Sequence, residues 1–223
     1  MSNWCITDYS FNGQKEEVES FHARLEEILT KSPVMENDFG SSWLGNIVAD
    51  YGFDWSAGNC RGSVEYIGPI EENDDIYSFI LTTETAWEPM PKMWDEILKK
   101  EYPSITYVLF AIEEGTDLYV NTDIQGKYFP NRYLLNILLP EKVLGKKFDE
   151  YDQYPHKETL LLDLFRITGK RFNDTDEAED YLRNLAKERC PNDEYRIVIR
   201  EFQSKLKCSP TLIEQLNGLE AEK

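Results

Sequence analysis

The chain has 223 residues, of which 41% are hydrophobic and 13% aromatic, and its formal net charge is −18. This length and composition exclude a disordered chain and suffice for one large domain, or for one domain with a substantial extension. The negative charge repels phosphate backbones, so we expect no direct binding to nucleic acid.

The first part of the chain alternates between strand and helix patterns. A strand is predicted over residues 3–11, followed by an amphipathic helix over 14–31, whose apolar side chains recur at helical spacing. A short amphipathic helix is predicted over 41–52. Two stretches of alternating polarity, at 60–70 and 74–85, then predict two strands.

The next stretch continues this alternation. The acidic sequence EENDD at 71–75 predicts a solvated turn between the two preceding strands. Residues 88–103 predict a helix with proline near its first turn, and the nearly continuous apolar run at 104–112 is typical of a buried central strand. Residues 118–123 predict another strand, and 125–140 predict an edge strand.

This order of elements predicts an α+β fold of the ferredoxin-like type, with a split β-α-β-β-α-β order. In this fold an antiparallel sheet carries two helices on one face. We assign it to a first domain at residues 1–140. Residues 141–223 form an α/β C-terminal extension, which we expect to be rich in helix, to contain one strand and to pack on the first domain.

Within the extension, one segment fits two patterns. Residues 158–168 read either as a helix ended by Gly169 or as an alternating strand. A helix is predicted over 175–188, a strand over 194–202 and a helical tail over 209–223.

The acidic charge is concentrated in the first part of the chain. Residues 1–98 contain five Lys/Arg and nineteen Asp/Glu, whereas residues 99–223 contain nineteen and twenty-three. Acidic surfaces keep proteins soluble, which is one interpretation. The other is an acidic face that docks on a basic protein partner, including a DNA-binding protein whose ligand it imitates.

Neither membrane insertion, secretion nor metal binding is indicated. No apolar run approaches the roughly 20 residues that cross a bilayer, and the first ten residues lack the basic and apolar regions of a secretion signal. We therefore expect a cytoplasmic protein with reduced thiols, no cofactor and no metal. The four cysteines are widely separated, without CxxC or Cys/His grouping: Cys5, Cys60, Cys190 and Cys208.

Four fragments in order resemble the YubB-like proteins of bacterial plasmids, phages and conjugative elements. They are NWC at 3–5, WLGNIV at 43–48, CRGSVEY at 60–66 and TETAWEPM at 83–90. The resemblance covers residues 1–140 and implies a ferredoxin-like fold and a mobile-element setting. It implies no established activity, and the ferredoxin-like topology does not imply an iron–sulfur cluster.

Glu84 is the first candidate for chemistry. It follows an apolar strand and precedes Trp87 by three residues, so it is a candidate for a partly buried carboxylate with a raised pKa. Glu113 or Glu114, at the end of a strand, would complete a carboxylate pair for acid–base hydrolysis. The alternative is that Glu84 and Thr85 bond to backbone donors at a strand-to-helix junction.

Arg61 is the second candidate, because it is one of few cations in an acidic region. It either holds an anionic ligand or forms a structural ion pair with Glu84 or Glu65.

No catalytic residue is assigned, because the sequence shows no nucleophile–base motif and no phosphate-binding loop. Our leading hypothesis is a protein-interaction module that binds a partner through an acidic face, with a nucleic-acid-mimicking decoy as its sharper form. The alternative is an enzyme or small-molecule binder whose pocket is lined by Arg61, Glu84 and Trp87. The sequence specifies neither the partner nor the oligomeric state.

Overall fold

The computed structural model describes residues 3–54, 60–73 and 75–206, which form two antiparallel sheets. The elements of the first unit are β1 (Trp4–Gly13), α1 (Lys15–Thr30), α2 (Leu44–Asp50), β2 (Gly62–Ile67), β3 (Glu71–Asn73), β4 (Ile76–Ala86), α3 (Pro91–Glu101), β5 (Thr106–Glu113) and β6 (Leu118–Asn121). Those of the second are β7 (Tyr133–Leu139), α4 (Glu141–Leu144), β8 (Phe148–Tyr154), α5 (Lys157–Thr168), α6 (Thr175–Arg189) and β9 (Arg196–Glu201).

The first sheet has the order β2-β4-β1-β5-β6, and the short strand β3 pairs with the start of β4. All neighbouring strands are antiparallel. With α1 between β1 and β2, and α3 between β4 and β5, this is the split β-α-β-β-α-β arrangement. The α+β, ferredoxin-like fold predicted from the sequence is confirmed.

Both long helices of this unit cover the same face of the sheet. Phe11 on β1 contacts Phe21 of α1 and Trp94 of α3, with ring centroids 5.1 and 5.4 Å apart. Strand residues in the opposite phase project to the other side of the sheet, because successive side chains alternate between faces. On β5 and β6 this side packs against the second unit, through Phe110 and Ile112, so we call only its part on β1, β2 and β4 the open face. On β1, β2 and β4 its residues are Trp4, Ile6, Asp8, Tyr66, Thr82 and Glu84.

The acidic sequence at 71–75 is more than the predicted turn. Residues Glu71–Asn73 form β3, which pairs with Ile76–Ser78 of β4, and Asp75 adopts a left-handed backbone conformation with φ of 64°. The physical reason is that β4 has eleven residues and extends past the end of β2, so its start offers backbone groups for another strand.

The second sheet has the order β8-β7-β9, which corrects two predictions. Strand β7, predicted as an edge strand, is the central strand, and its apolar sequence fits a strand that is buried on both faces. The extension after residue 141 contains two strands, β8 and β9, rather than one. The predicted division at residue 140 stays a prediction, although β7, which precedes it, belongs to the second sheet.

Helices α5 and α6 cover one face of the second sheet, where Leu160, Leu164 and Leu182 pack against Leu135 and Ile137. The segment at 158–168, for which both patterns were open, is therefore helical, and Gly169 ends it in a left-handed conformation with φ of 71°. The Asp174 carboxylate caps α6 by accepting a hydrogen bond from the Glu177 amide at 2.8 Å.

The two units contact each other beside β5 and β6. Phe202, which follows β9, packs against Phe110 with ring centroids 4.7 Å apart, and the Gln203 amide donates to the Tyr119 carbonyl at 2.9 Å. These contacts join the second unit to β5 and β6 of the first. The helical tail predicted at 209–223 lies outside the described residues. Within the described ranges, no helix combines the length and apolarity needed to span a membrane.

Candidate binding site on the open face

Three of the four candidate residues lie at one end of the strands β2, β4 and β1. Glu84 is directly opposite Ser63 on β2 and Ile6 on β1. The Ala86 amide donates a hydrogen bond to the carbonyl of Arg61 at 2.8 Å, and the Trp87 amide donates to the carbonyl of Asn3 at 2.9 Å. The sheet register therefore brings Arg61, Glu84 and Trp87 together, as the pocket hypothesis required.

Glycine at position 62 permits this close approach. Gly62 lies opposite Thr85, and a Cβ atom at this position would collide with the carbonyl oxygen of Glu84. The absence of a side chain thus allows β2 to lie against the end of β4 and fixes where Arg61 sits relative to Glu84.

Trp87 forms the junction between β4 and α3. Its backbone has φ of 75°, in the left-handed region that a bulky residue rarely adopts. The Thr85 hydroxyl donates to the Glu88 carbonyl at 2.8 Å, and Pro91 begins α3. The strand-to-helix junction predicted here is confirmed, but its strained residue is Trp87, and the tryptophan side chain is 44% exposed.

Glu113, the fourth candidate, lies on the opposite side of the sheet from Glu84. Ile6 pairs with both Glu84 and Ile112, so Glu113 is one residue out of phase and projects to the helix-covered side. There it is buried and accepts hydrogen bonds from the Gly115 amide at 2.8 Å and from the amide and hydroxyl of Thr116. The predicted pair with Glu84 is therefore wrong.

Glu114 does not complete a pair with Glu84 either. Its carboxylate accepts a hydrogen bond from the Asn136 side chain of the second unit at 3.0 Å, so it links the two sheets. Both acidic residues at the end of β5 thus have structural partners.

Glu84 is partly buried near the end of β4. Within residues 3–54, 60–73 and 75–206, its carboxylate accepts no hydrogen bond, so it does not bond to backbone donors at the junction. The Thr85 hydroxyl does not either, because it donates to the backbone carbonyl of Glu88. Two cavities of about 560 and 670 Å³ lie elsewhere, one between α1, α2 and α3 and one between α3 and β5. Neither is lined by Arg61, Glu84 or Trp87, so neither supports the predicted pocket.

The ion pair predicted for Arg61 is not formed. Among the described residues, no carboxylate lies within 4.0 Å of its guanidinium group, and Arg61 is exposed. The structural contribution of Arg61 comes from its backbone carbonyl, which accepts the hydrogen bond from the Ala86 amide.

Exposed apolar side chains on the open face were not predicted. Ile6 is 56%, Tyr66 54% and Trp4 40% exposed. The alternating sequence of β1 contained a signal for them, because Ile6 is out of phase with the buried Tyr9 and Phe11. Large exposed apolar groups near one another commonly mark an interaction surface.

The sheet around these side chains is acidic. None of the residues in β1 to β6 is lysine or arginine, whereas six are acidic. These are Asp8, Glu65, Glu71, Glu72, Glu84 and Glu113. On the open face, the pKa of Asp8 is raised by burial among neighbouring groups, although a hydrogen bond from Thr82 at 2.6 Å opposes that shift.

A second group of carboxylates surrounds Tyr77 at the start of β4. The pKa of Tyr77 is raised by a hydrogen bond with Glu72, by desolvation and by the negative charges of Glu72, Glu19 and Asp75. Lys15, whose ammonium lies 5.3 Å from the Tyr77 ring centroid, is the cation at this cluster. These carboxylates lie on α1 and on the β3–β4 hairpin.

The cysteines do not suggest chemistry. Cys5, Cys60 and Cys190 are buried free thiols, and burial raises the pKa of both Cys5 and Cys60 to about 11. They remain protonated near neutral pH, which makes them poor nucleophiles and poor metal ligands. Cys208 lies outside the described residues.

In comparisons with known proteins, no protein-family model, no curated protein and no solved structure matches this chain. The resemblance to the YubB-like proteins therefore stays a prediction, and the functional argument rests on the site itself.

Proposed function

We propose that the protein is a binding module that docks a basic segment of a protein partner on the open face. The observation that carries this proposal is the combination of exposed Trp4, Ile6 and Tyr66 with the carboxylates of Asp8 and Glu84, on strands that contain no lysine or arginine. Arg61, which directly precedes β2, is an exposed cation at one end of this surface. Such a surface favours a partner that offers both apolar and positively charged side chains.

The two kinds of group have different roles. Burial of apolar surface contributes about 25 cal/mol per Å², and aromatic anchors at the centre of an interface commonly contribute about 2 kcal/mol or more. The carboxylates select a basic partner and accelerate its association, and they repel acidic competitors. We therefore expect Trp4, Ile6 and Tyr66 to provide most of the affinity, and Asp8 and Glu84 to provide the selectivity for basic partners.

A decoy that mimics nucleic acid is the second candidate. It is favoured by the carboxylates of Glu19, Glu72 and Asp75 around Tyr77, which lie on an exposed helix and hairpin. The mobile-element setting of this candidate rests on the resemblance in the first 140 residues, and a cytoplasmic location rests on composition. The enzyme hypothesis is less well supported, because Glu84 and Glu113 project to opposite faces of the sheet.

The test is a selection of random twelve-residue peptides displayed on phage, using the intact protein as bait. Enriched peptides should combine Lys/Arg with apolar residues, and their affinity should fall as salt concentration rises. Ile6→Asp should weaken binding of a selected peptide at least about tenfold. Ile124→Asp is the matched control, since Ile124 is 74% exposed but lies outside the strands, and it should leave binding unchanged.

Two results would count against the proposal. Enriched peptides without a preference for Lys/Arg would show that the carboxylates do not select the partner. Equal losses in Ile6→Asp and Ile124→Asp would show that binding occurs elsewhere. Competition between this protein and short duplex DNA for a folded DNA-binding domain, without comparable competition for a selected peptide of the same charge, would instead favour the decoy hypothesis.

A further inference from the structure

Strand β8 is a free edge of the second sheet. Within the part of the chain that the structure describes, β8 pairs with β7 alone, over all seven of its residues from Phe148 to Tyr154. About half of the backbone N–H and C=O groups of such a strand point away from its neighbour and can pair with another chain.

The side of β8 that faces α5 is strongly acidic. Glu150 and Asp152 lie opposite Ile137 and Leu135, which belong to the helix-covered face of the sheet. Their carboxylate oxygens and one of Asp163 on α5 all lie within 4.8 Å of one another.

These carboxylates are only partly compensated. Arg166 contacts Asp163 at 2.7 Å, but its own side chain is largely exposed, and the Tyr154 hydroxyl also donates to Asp163 at 2.6 Å. Glu150 has no such partner: its Oε2 atom is buried and accepts no hydrogen bond from the described residues. A buried acceptor without a donor costs roughly 1–3 kcal/mol, and more when it is charged.

The other side of β8 carries an exposed aromatic ring. Tyr151 projects there, one residue out of phase with Glu150 and Asp152, and it is 51% exposed. A polypeptide lying along the edge would therefore meet carboxylates at alternate positions on one side and an aromatic ring on the other.

We propose that β8 accepts an extended segment of a partner as a fourth strand of the second sheet, with Lys or Arg side chains at alternate positions facing Glu150 and Asp152. The residue between the two basic positions is apolar or aromatic and packs against Tyr151. Side chains directly opposite each other on neighbouring strands are about 4.5–5.5 Å apart, so a basic side chain there reaches the carboxylates.

Charge complementarity identifies the occupant. Strand β8 contains Asp149, Glu150 and Asp152 and no cation, so a second copy of β8 would place like charges opposite each other, which is destabilising. A basic strand has the opposite effect and supplies the donor that Glu150 lacks. Backbone hydrogen bonds provide affinity, and the alternation provides specificity. This edge belongs to the second sheet, so the inference stands apart from docking on the open face.

The test uses a synthetic seven-residue peptide that alternates Arg and Val, with a peptide of the same composition in two blocks as its control. We expect the alternating peptide to bind more tightly and to increase amide-exchange protection in β8. Asp152→Lys should weaken binding at least about tenfold, a change equivalent to about 1.4 kcal/mol. Asp149→Lys is the matched control, because the same charge change occurs on the other side of the same strand, and its effect should be several-fold smaller.

The outcomes separate this site from the open face. Ile6→Asp should leave binding of the alternating peptide unchanged, whatever it does to partners of the open face. Equal binding of the block peptide, equal losses in the two β8 variants, or no added protection of β8 would overturn the inference. Ca²⁺ or Mn²⁺ binding lost in Asp152→Asn, without peptide binding, would also overturn it and assign the carboxylates to a cation.

Discussion

Asp8 shows how the open face acts on a single side chain. Its carboxylate lies in the middle strand of the sheet and accepts a hydrogen bond from Thr82 at 2.6 Å. Burial among neighbouring groups disfavours the charged form and raises its pKa, despite that hydrogen bond. Asp8 is therefore costly to the isolated protein in its ionised form, which is what we expect of a group that would gain a cationic neighbour on binding.

The raised pKa of Asp8 predicts a specific pH dependence of stability. A carboxyl group whose pKa is raised by folding binds its proton more tightly in the folded state. Its protonation therefore stabilises the protein fully below the ordinary pKa of 3.8, and this stabilisation is lost as pH rises through the raised value. Asp8→Asn should increase the free energy of unfolding at pH 7 and flatten its pH dependence between those two values. Urea unfolding at several pH values tests this, and a decrease in stability at pH 7 would contradict it.

The side on which each glutamate lies could not be predicted from the sequence. The end of β4 has the sequence TTETA, so polar or small side chains point to both faces of the sheet. No alternation of apolar and polar residues therefore distinguishes the buried face from the exposed one. Glu113 looked equivalent to Glu84 because both end an apolar strand. Their separation depends on the pairing of Ile6 with Ile112, which is a long-range register that a local pattern does not contain.

At the level of elements, the predictable parts were those with a strong local pattern. Helices α1 and α3 have apolar residues at regular spacing and β5 has a nearly continuous apolar run, and each was predicted. Strand β8 was missed because only its ends, Phe148 and Tyr154, are buried, so its sequence reads as a polar loop. An edge strand is stabilised mainly by backbone pairing with its neighbour, so its sequence need not show an apolar alternation.

The junction between β4 and α3 supports a quantitative prediction. Trp87 adopts a left-handed conformation that costs a non-glycine residue about 1 kcal/mol or more. Trp87→Gly and Trp87→Ala both remove the exposed ring, but only glycine removes the backbone strain. We expect Trp87→Gly to be more stable than Trp87→Ala by about 1 kcal/mol in chemical denaturation. Equal stability of the two variants would contradict a strained junction at this position.

For the whole molecule, the two sheets distribute charge and apolar surface unevenly. The helices of each unit cover one face of its sheet, and the units meet where Phe202 packs on Phe110 beside β5 and β6. This leaves the open face on β2, β4 and β1 uncovered by the described residues, in the part of the chain where acidic residues outnumber basic ones nineteen to five. Composition predicted an acidic partner-binding protein, but only the fold locates a surface where charge and exposed apolar groups coincide.

The central claim is that a basic partner segment binds to the open face. The most direct test is a methyl NMR titration of isotope-labelled isoleucine residues with a peptide selected as described above. Ile6 and Ile80 on the open face should shift progressively, while Ile28 and Ile97 in the helix-covered core should not. Shifts confined to Ile28 and Ile97, with Ile6 unchanged at saturating peptide, would contradict the claim.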